Sequence, residues 1–277
     1  MLHTPITLII TGLIIGTVGT LIGAGGGFIL VPFLLLFYTE FPPEVVTAIS
    51  IAVVAVNSIS GSMAYAKSGR IDYKAGLVFA VFTIPGSILG VYTVKYIPQN
   101  VFKIIFGIML IGLSVYLFFK NKAIISSSVI SSEKKGYKHT VLTDKSGTTY
   151  EYSYKQSIGS LISVVVGYIS PLLGIGGGII HVPAMVNWLK FPVHIATATS
   201  HFILAIMATV SVITHAINGT YNNTDIVLTI VYLSLGVIPG AQLGAYFSHK
   251  IKSHTIIRAL AVCLIIVGIR ILFYGKH

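Results

Sequence analysis

Apolar residues fall into ten runs, at 5–22, 28–38, 45–66, 74–94 and 100–119, then at 157–173, 179–189, 195–217, 225–247 and 255–274. At least six reach the roughly 20 residues that cross a bilayer as helix. The runs at 28–38 and 179–189 are too short, since 11 residues of helix reach only about 16 Å. The pattern predicts an all-α polytopic membrane protein with a first transmembrane repeat at 1–119, a polar linker at 120–156 and a second repeat at 157–277. The linker carries Ser126, Ser127, Ser128, Ser131, Ser132, Glu133, Lys134, Lys135 and Lys138 and reads as a water-exposed, cytoplasmic segment. Within it, Lys145-Ser146-Gly147 lies between residues of good strand propensity and suggests a short hairpin near 140–154.

The two sets of runs are copies of one another. GAGGGFILVP (23–32) matches GIGGGIIHVP (174–183), VVTAIS (45–50) matches IATATS (195–200), and IPGSILG (84–90) matches IPGAQLG (238–244). Chance likeness between apolar helices would not keep glycines and prolines in this order, so the chain reads as an internal duplication. Positive residues in short loops mark the cytoplasmic side of a membrane protein. Lys67, Arg70 and Lys74 place the loop at 67–74 inside, whereas the equivalent loop at 218–224 has no lysine or arginine and reads as outside. Lys250 and Lys252 place 248–254 inside, and its counterpart at 95–100 has Lys95 alone. Equivalent loops thus alternate in sign, as inverted repeats require. Each half would then be a glycine-broken helical hairpin, 5–38 or 157–189, plus three transmembrane helices. The competing arrangement is a parallel repeat with four straight crossings per half; Arg270 and Lys276, outside in the inverted scheme, favour it.

Composition agrees with the pattern. Hydrophobic residues make up 55% of the 277 and charged residues 9%, against about 25% charged in soluble domains. The net charge of +11 lies mostly in loops, where it orients the chain and meets anionic headgroups, so nucleic acid is not indicated as a partner. Cys263 alone makes neither an intrachain disulfide nor a cysteine metal site. No cleavable signal peptide is expected, because residues 1–4 lack a basic start.

The candidate chemistry sits at the glycines. Gly25, Gly26 and Gly27, and Gly176, Gly177 and Gly178, each break a helix and precede a short one. A helix start offers free N–H groups and a positive dipole end, and glycine lets an anion approach them. Two such starts facing each other near the midplane would bind an anion. The competing reading is that the glycines only allow tight helix packing. Ser50 and Asn57 in one half, with Thr199, Ser200, His201 and His181 in the other, are further candidate substrate contacts. His181, His201 and His215 are candidate proton carriers, because imidazole titrates near neutral pH. No carboxylate or cysteine joins them, so neither a metal nor any other cofactor is expected. The expectation is a transporter and not an enzyme, with a small anion and membrane lipid as partners and an open oligomeric state.

GAGGGFILVP, GIGGGIIHVP, ATATS and GRID (69–72) resemble the sulfite exporter TauE/SafE family of permeases over nearly the whole chain apart from the linker. The resemblance implies transport of small sulfur-containing anions: sulfite, sulfonates, thiosulfate or sulfoacetate-like compounds. Ala48-Ile49-Ser50 departs from the Gly-Thr-Ser that the family often has there. An uncoupled anion channel or uniporter on the same scaffold is the alternative.

Overall fold

The computed structural model describes residues 4–119, 136–248, 265, 266 and 268–271. The run at 255–274 lies largely outside them, as does linker segment 120–135. The elements follow the runs: α1 (Pro5–Ile22), α2 (Gly27–Phe37), α3 (Pro43–Ser68), α4 (Tyr73–Val94), α5 (Gln99–Phe119), β1 (Tyr137–Thr143), β2 (Thr149–Lys155), α6 (Gln156–Leu173), α7 (Gly178–Asn187), α8 (Val193–Ile217) and α9 (Thr224–Phe247). Among the described residues, six helices, α1, α3, α4, α6, α8 and α9, are long and apolar enough to cross a membrane.

Local chemistry sets the helix ends. Asp72 caps α4 by accepting from the Ala75 N–H at 3.0 Å, and Asn223 caps α9 by accepting from the Asp225 N–H at 2.8 Å. Gly23, Gly69 and Gly174 stop α1, α3 and α6 in the left-handed conformation. The central element is α3, whose apolar window is 83% buried against 33–50% for the other five. Large apolar side chains such as Ile10, Leu77, Leu89, Leu161 and Leu235 point outward, which suits contact with lipid rather than water.

Two helix pairs meet backbone to backbone. A Cβ on Gly236 would lie 1.9 Å from the Ile9 carbonyl oxygen, and one on Gly12 would lie 2.1 Å from that of Leu233. Along α4 and α6, a Cβ on Gly167 would lie 2.4 Å from the Thr83 oxygen, and one on Gly90 would lie 2.4 Å from the Tyr168 oxygen. Only small residues permit such an approach, the usual device for packing helices in lipid. Contact positions climb together along both pairs, so α1 runs parallel to α9 and α4 to α6. By contrast α3 and α8 run in opposite directions. The start of α3 meets the far end of α8, where Tyr221 Oη donates to the Ala48 carbonyl at 3.0 Å and Thr220 Oγ1 to Glu44 Oε1 at 3.0 Å. Past the other end of α3, the Asp72 N–H donates to Thr199 Oγ1, in the first turns of α8, at 3.0 Å.

The hairpin expected near 140–154 spans β1 and β2, with Tyr137 opposite Lys155 and Thr143 opposite Thr149. It is not a solvated tether. Tyr152, Ser153 and Tyr154 are buried, and both tyrosine rings pack on Phe191, 4.6 and 4.9 Å away. Tyr150, Tyr152 and Tyr154 alternate along the strand and so share a face, which is what a docked strand needs. Tyr152 Oη donates to Asp72 Oδ2 at 2.8 Å; burial and then the Asp72 charge push its pKa up, so the phenol keeps its proton. The hairpin turn is locked by Asp144, whose carboxylate accepts from the Ser146 hydroxyl, the Thr148 N–H and Arg70 Nε. These donors, led by the Ser146 hydroxyl, hold its pKa down at about 2.

A crossing of two glycine breaks as the candidate functional site

Each break is a turn that only glycine makes readily. Gly23, Gly25 and Gly26 have φ of 81°, 76° and 86°, and Gly174 and Gly176 have φ of 67° and 64°. The chain doubles back there: Gly26 lies against Ile15, although eleven residues of unbroken helix would separate them by about 16 Å. No side chain caps the start of α2 or α7. In the second break the Gly177 N–H instead donates to Ser170 Oγ, seven residues back in α6.

The two breaks cross in contact. A Cβ on Gly27 would lie 2.3 Å from the Gly174 carbonyl oxygen, and one on Gly178 would lie 2.0 Å from that of Gly23. Gly25 and Gly176 both face Val54 of α3. Two serines hold the crossing. Ser50 Oγ donates to the Gly174 carbonyl at 2.6 Å, and Ser200 Oγ to the Gly23 carbonyl at 3.3 Å. They occupy equivalent places in VVTAIS and IATATS, and each serves the break of the other half. Their hydroxyl hydrogens are thus directed to backbone. Thr199 faces elsewhere, accepting from the Asp72 N–H beneath the hairpin.

A fully buried polar cluster lies beside the first break. Thr20 Oγ1 donates to Asn57 Oδ1 at 2.9 Å, which leaves it only lone pairs for His201 Nε2, 3.2 Å away. His201 therefore carries its hydrogen on Nε2, and Nδ1 gains one only when the ring is charged. Tyr65 Oη donates to the Thr20 carbonyl at 2.8 Å, and its ring stands edge-on to His201 at 5.6 Å. Asn57 Nδ2, Ser58 Oγ and His201 Nδ1 are buried and have no hydrogen-bond partner among the described residues. Ser58 Oγ lies 3.4 Å from where a Cβ on Gly25 would stand, so it faces the break directly.

The three histidines occupy three separate neighbourhoods. His181 Nε2 lies 3.2 Å from Ser163 Oγ and its ring lies beside Phe79, which in turn packs on Tyr154 of the hairpin. His215 belongs to the opposite end, with Nδ1 3.4 Å from Thr220 Oγ1 in the group that holds Glu44 and Lys95. Only His201 joins the polar cluster at the crossing. Thr20 and Tyr65 escaped sequence reasoning because their counterparts in the second half are Pro171 and His215, so the duplication gives no matching pair.

A family model described as sulfite exporter TauE/SafE matches residues 8–271. The chain is similar to a probable membrane transporter protein, YunE, of Bacillus subtilis, with 36% identity over 98% of each chain. It is also similar to a probable membrane transporter protein, MJ0441, of Methanocaldococcus jannaschii, with 28% identity over 88% of this chain and 86% of the relative. A third relative, the probable membrane transporter protein YdhB of Bacillus subtilis, is 24% identical over 96% of this chain and 99% of its own length. No solved structure matches.

The serine pair gives a stability test. Ser50→Ala or Ser200→Ala strips a buried carbonyl of its side-chain donor, a loss of about 1–3 kcal/mol. Thermal melting of the purified variants in detergent is expected to fall for both, with Ser50→Ala the more affected because its bond is the shorter. Unchanged melting of both variants would contradict a bracing role.

Proposed function

The chain belongs to the sulfite exporter TauE/SafE family and is a multi-pass membrane transporter of that type; from that premise we propose that it is a secondary transporter of small sulfur-containing anions, of the sulfite, sulfonate, thiosulfate or sulfoacetate type, bound where the two glycine breaks cross. The observation that carries this reading is the set of unpartnered buried groups there. Asn57 Nδ2 and Ser58 Oγ are donors without acceptors, beside helix starts that no side chain caps. An unsatisfied buried polar group costs about 1–3 kcal/mol, and a sulfur oxyanion supplies the acceptors that these donors lack. The anion in turn needs donors to replace its water. Helix starts offer partial charge without a buried lysine or arginine, and a site of partial charges also lets the anion leave.

His201 couples a proton to the same site. Its Nε2–H is committed to Thr20, so a second proton, on Nδ1, adds both a donor and a positive charge beside the break. Anion binding and protonation then favour each other. Proton-coupled flux therefore rises as pH falls toward protonation of the ring.

The two halves are inverted in this reading. The opposite directions of α3 and α8, which carry the matching VVTAIS and IATATS, support it. So does the sorting of charge, with Lys67, Arg70 and Lys145 at one end of the molecule and the lysine-free loop at 218–224 at the other. Alternating access is then a rocking of the α1–α9 pair against the α4–α6 pair about the crossing.

Ser58→Ala removes a hydroxyl that has no partner, so melting should stay unchanged or rise slightly while anion flux into proteoliposomes falls about tenfold, the loss expected from one hydrogen bond of about 1.4 kcal/mol. His201→Gln, in the same assay, should lose the acid stimulation of flux. Normal flux in Ser58→Ala together with an unchanged pH profile in His201→Gln would remove this cluster from the transport path.

The inversion is tested by single cysteines at Lys74 and Asn222, both exposed, in a Cys263→Ser background. A membrane-impermeant thiol reagent applied to intact cells is expected to label the Asn222 position alone. Labelling of both from one side would restore the parallel repeat.

A further inference from the structure

At the end where the hairpin docks, α3, α9 and the hairpin turn border an open cavity of about 530 Å³ lined by Tyr65, Lys67, Ser68, Arg70, Lys145 and Gln242, among others. Among the described residues no acidic side chain lines it. Lys67 and Lys145 are exposed and form no salt bridge among the described residues. Arg70 uses its Nε on Asp144, which neutralises that pair and leaves the two lysines as the net charge of the cavity. The hairpin turn is fixed to the end of α3, because the Lys145 N–H donates to the Ser68 carbonyl at 3.0 Å. Tyr65 is shared between the cavity and the crossing: it lines the first, while its hydroxyl and ring contact Thr20 and His201 of the second.

We propose that this cavity is a second oxyanion site, which collects free sulfur oxyanions on the hairpin side of the membrane and passes them to the crossing by way of Tyr65. The role as a staging post rests on the transport reading above; the binding of an oxyanion does not. Two lysines without carboxylate partners attract an anion from solution, and charge focused in a cleft raises local concentration and arrival rate by about 10–10³. Ammonium groups on flexible stems hold an oxyanion as point charges rather than in a bidentate grip, which suits a site that must release its ligand. The phosphate of a lipid headgroup has the same chemistry, and the test separates the two sources.

The experiment uses the full chain, with Lys67→Gln/Lys145→Gln set against the charge-keeping Lys67→Arg/Lys145→Arg, both checked by melting. Calorimetric titration with sulfite in detergent is expected to show a salt-sensitive class of sites in the wild type and in Ser58→Ala that the double glutamine variant loses and the double arginine variant keeps. In proteoliposomes of phosphatidylcholine alone, the glutamine variant should raise the KM for sulfite presented on the hairpin side about tenfold, with the KM from the other side unchanged. Identical sulfite binding in wild type and double glutamine variant overturns the site. An effect of the variant that appears only after phosphatidylglycerol is added shows a headgroup as the occupant and overturns the free-anion assignment. If binding follows the lysines but no sulfur anion is transported, the transport reading fails while the site stands.

Discussion

The fold turns on a close approach that side chains would forbid. Gly27 rests on the Gly174 carbonyl and Gly178 on the Gly23 carbonyl, so each half of the molecule supplies the surface on which the other half's chain reverses. Neither break is a freestanding feature. Backbone groups released inside an apolar core must find partners within the protein, and here they find them across the duplication, through Ser50 and Ser200. The glycines therefore serve packing, and the proposed anion site asks the same residues for chemistry as well. The same contact makes substitution at Gly26 or Gly27 a poor probe of binding, since strain or collision follows from any Cβ there.

The exchange between halves extends outward from the crossing. The first helix of each half lies backbone to backbone on the third membrane-length helix of the other, α1 on α9 and α6 on α4, while α3 and α8 fill the centre. The halves differ in side chains, and in backbone at one glycine: Gly26 has φ of 86° and its counterpart Gly177 has φ of −39°. His201 stands where the first half has Ile51, and Tyr65 stands where the second has His215. One break thus acquires a polar cluster with unpartnered donors, and the docked hairpin covers the end of the molecule nearest His181. A duplicated scaffold with an asymmetric lining gives the two faces of the protein different chemistry.

Much of this was legible in the chain. Runs of apolar residues located the helices, the repeated GxGGG…VP segments located both breaks, and the VVTAIS and IATATS match marked the two serines as a pair. What the serines bind was not legible, because a hydroxyl in an apolar run reads equally as ligand contact, neighbour contact or bond to its own helix. Adjacency in the chain groups Thr199 with Ser200, yet successive residues on a helix point about 100° apart, and the two face different partners. The three histidines looked alike as ionisable groups in membrane runs; their separation depends on helix rotation and depth, which composition does not encode. The aromatic alternation of Tyr150, Tyr152 and Tyr154 was present in the sequence, but its meaning depended on Phe79 and Phe191 arriving from distant segments.

The central claim is that the anion sits where the breaks cross. Selenite is close to sulfite in shape and charge and scatters anomalously at the selenium edge. Anomalous diffraction from crystals of the wild-type protein with selenite is expected to place selenium within about 4 Å of Ser58 Oγ and Asn57 Nδ2, at a peak that excess sulfite removes. Selenium found on the far side of the molecule, with the space beside Gly25 and Ser58 empty, would contradict the account.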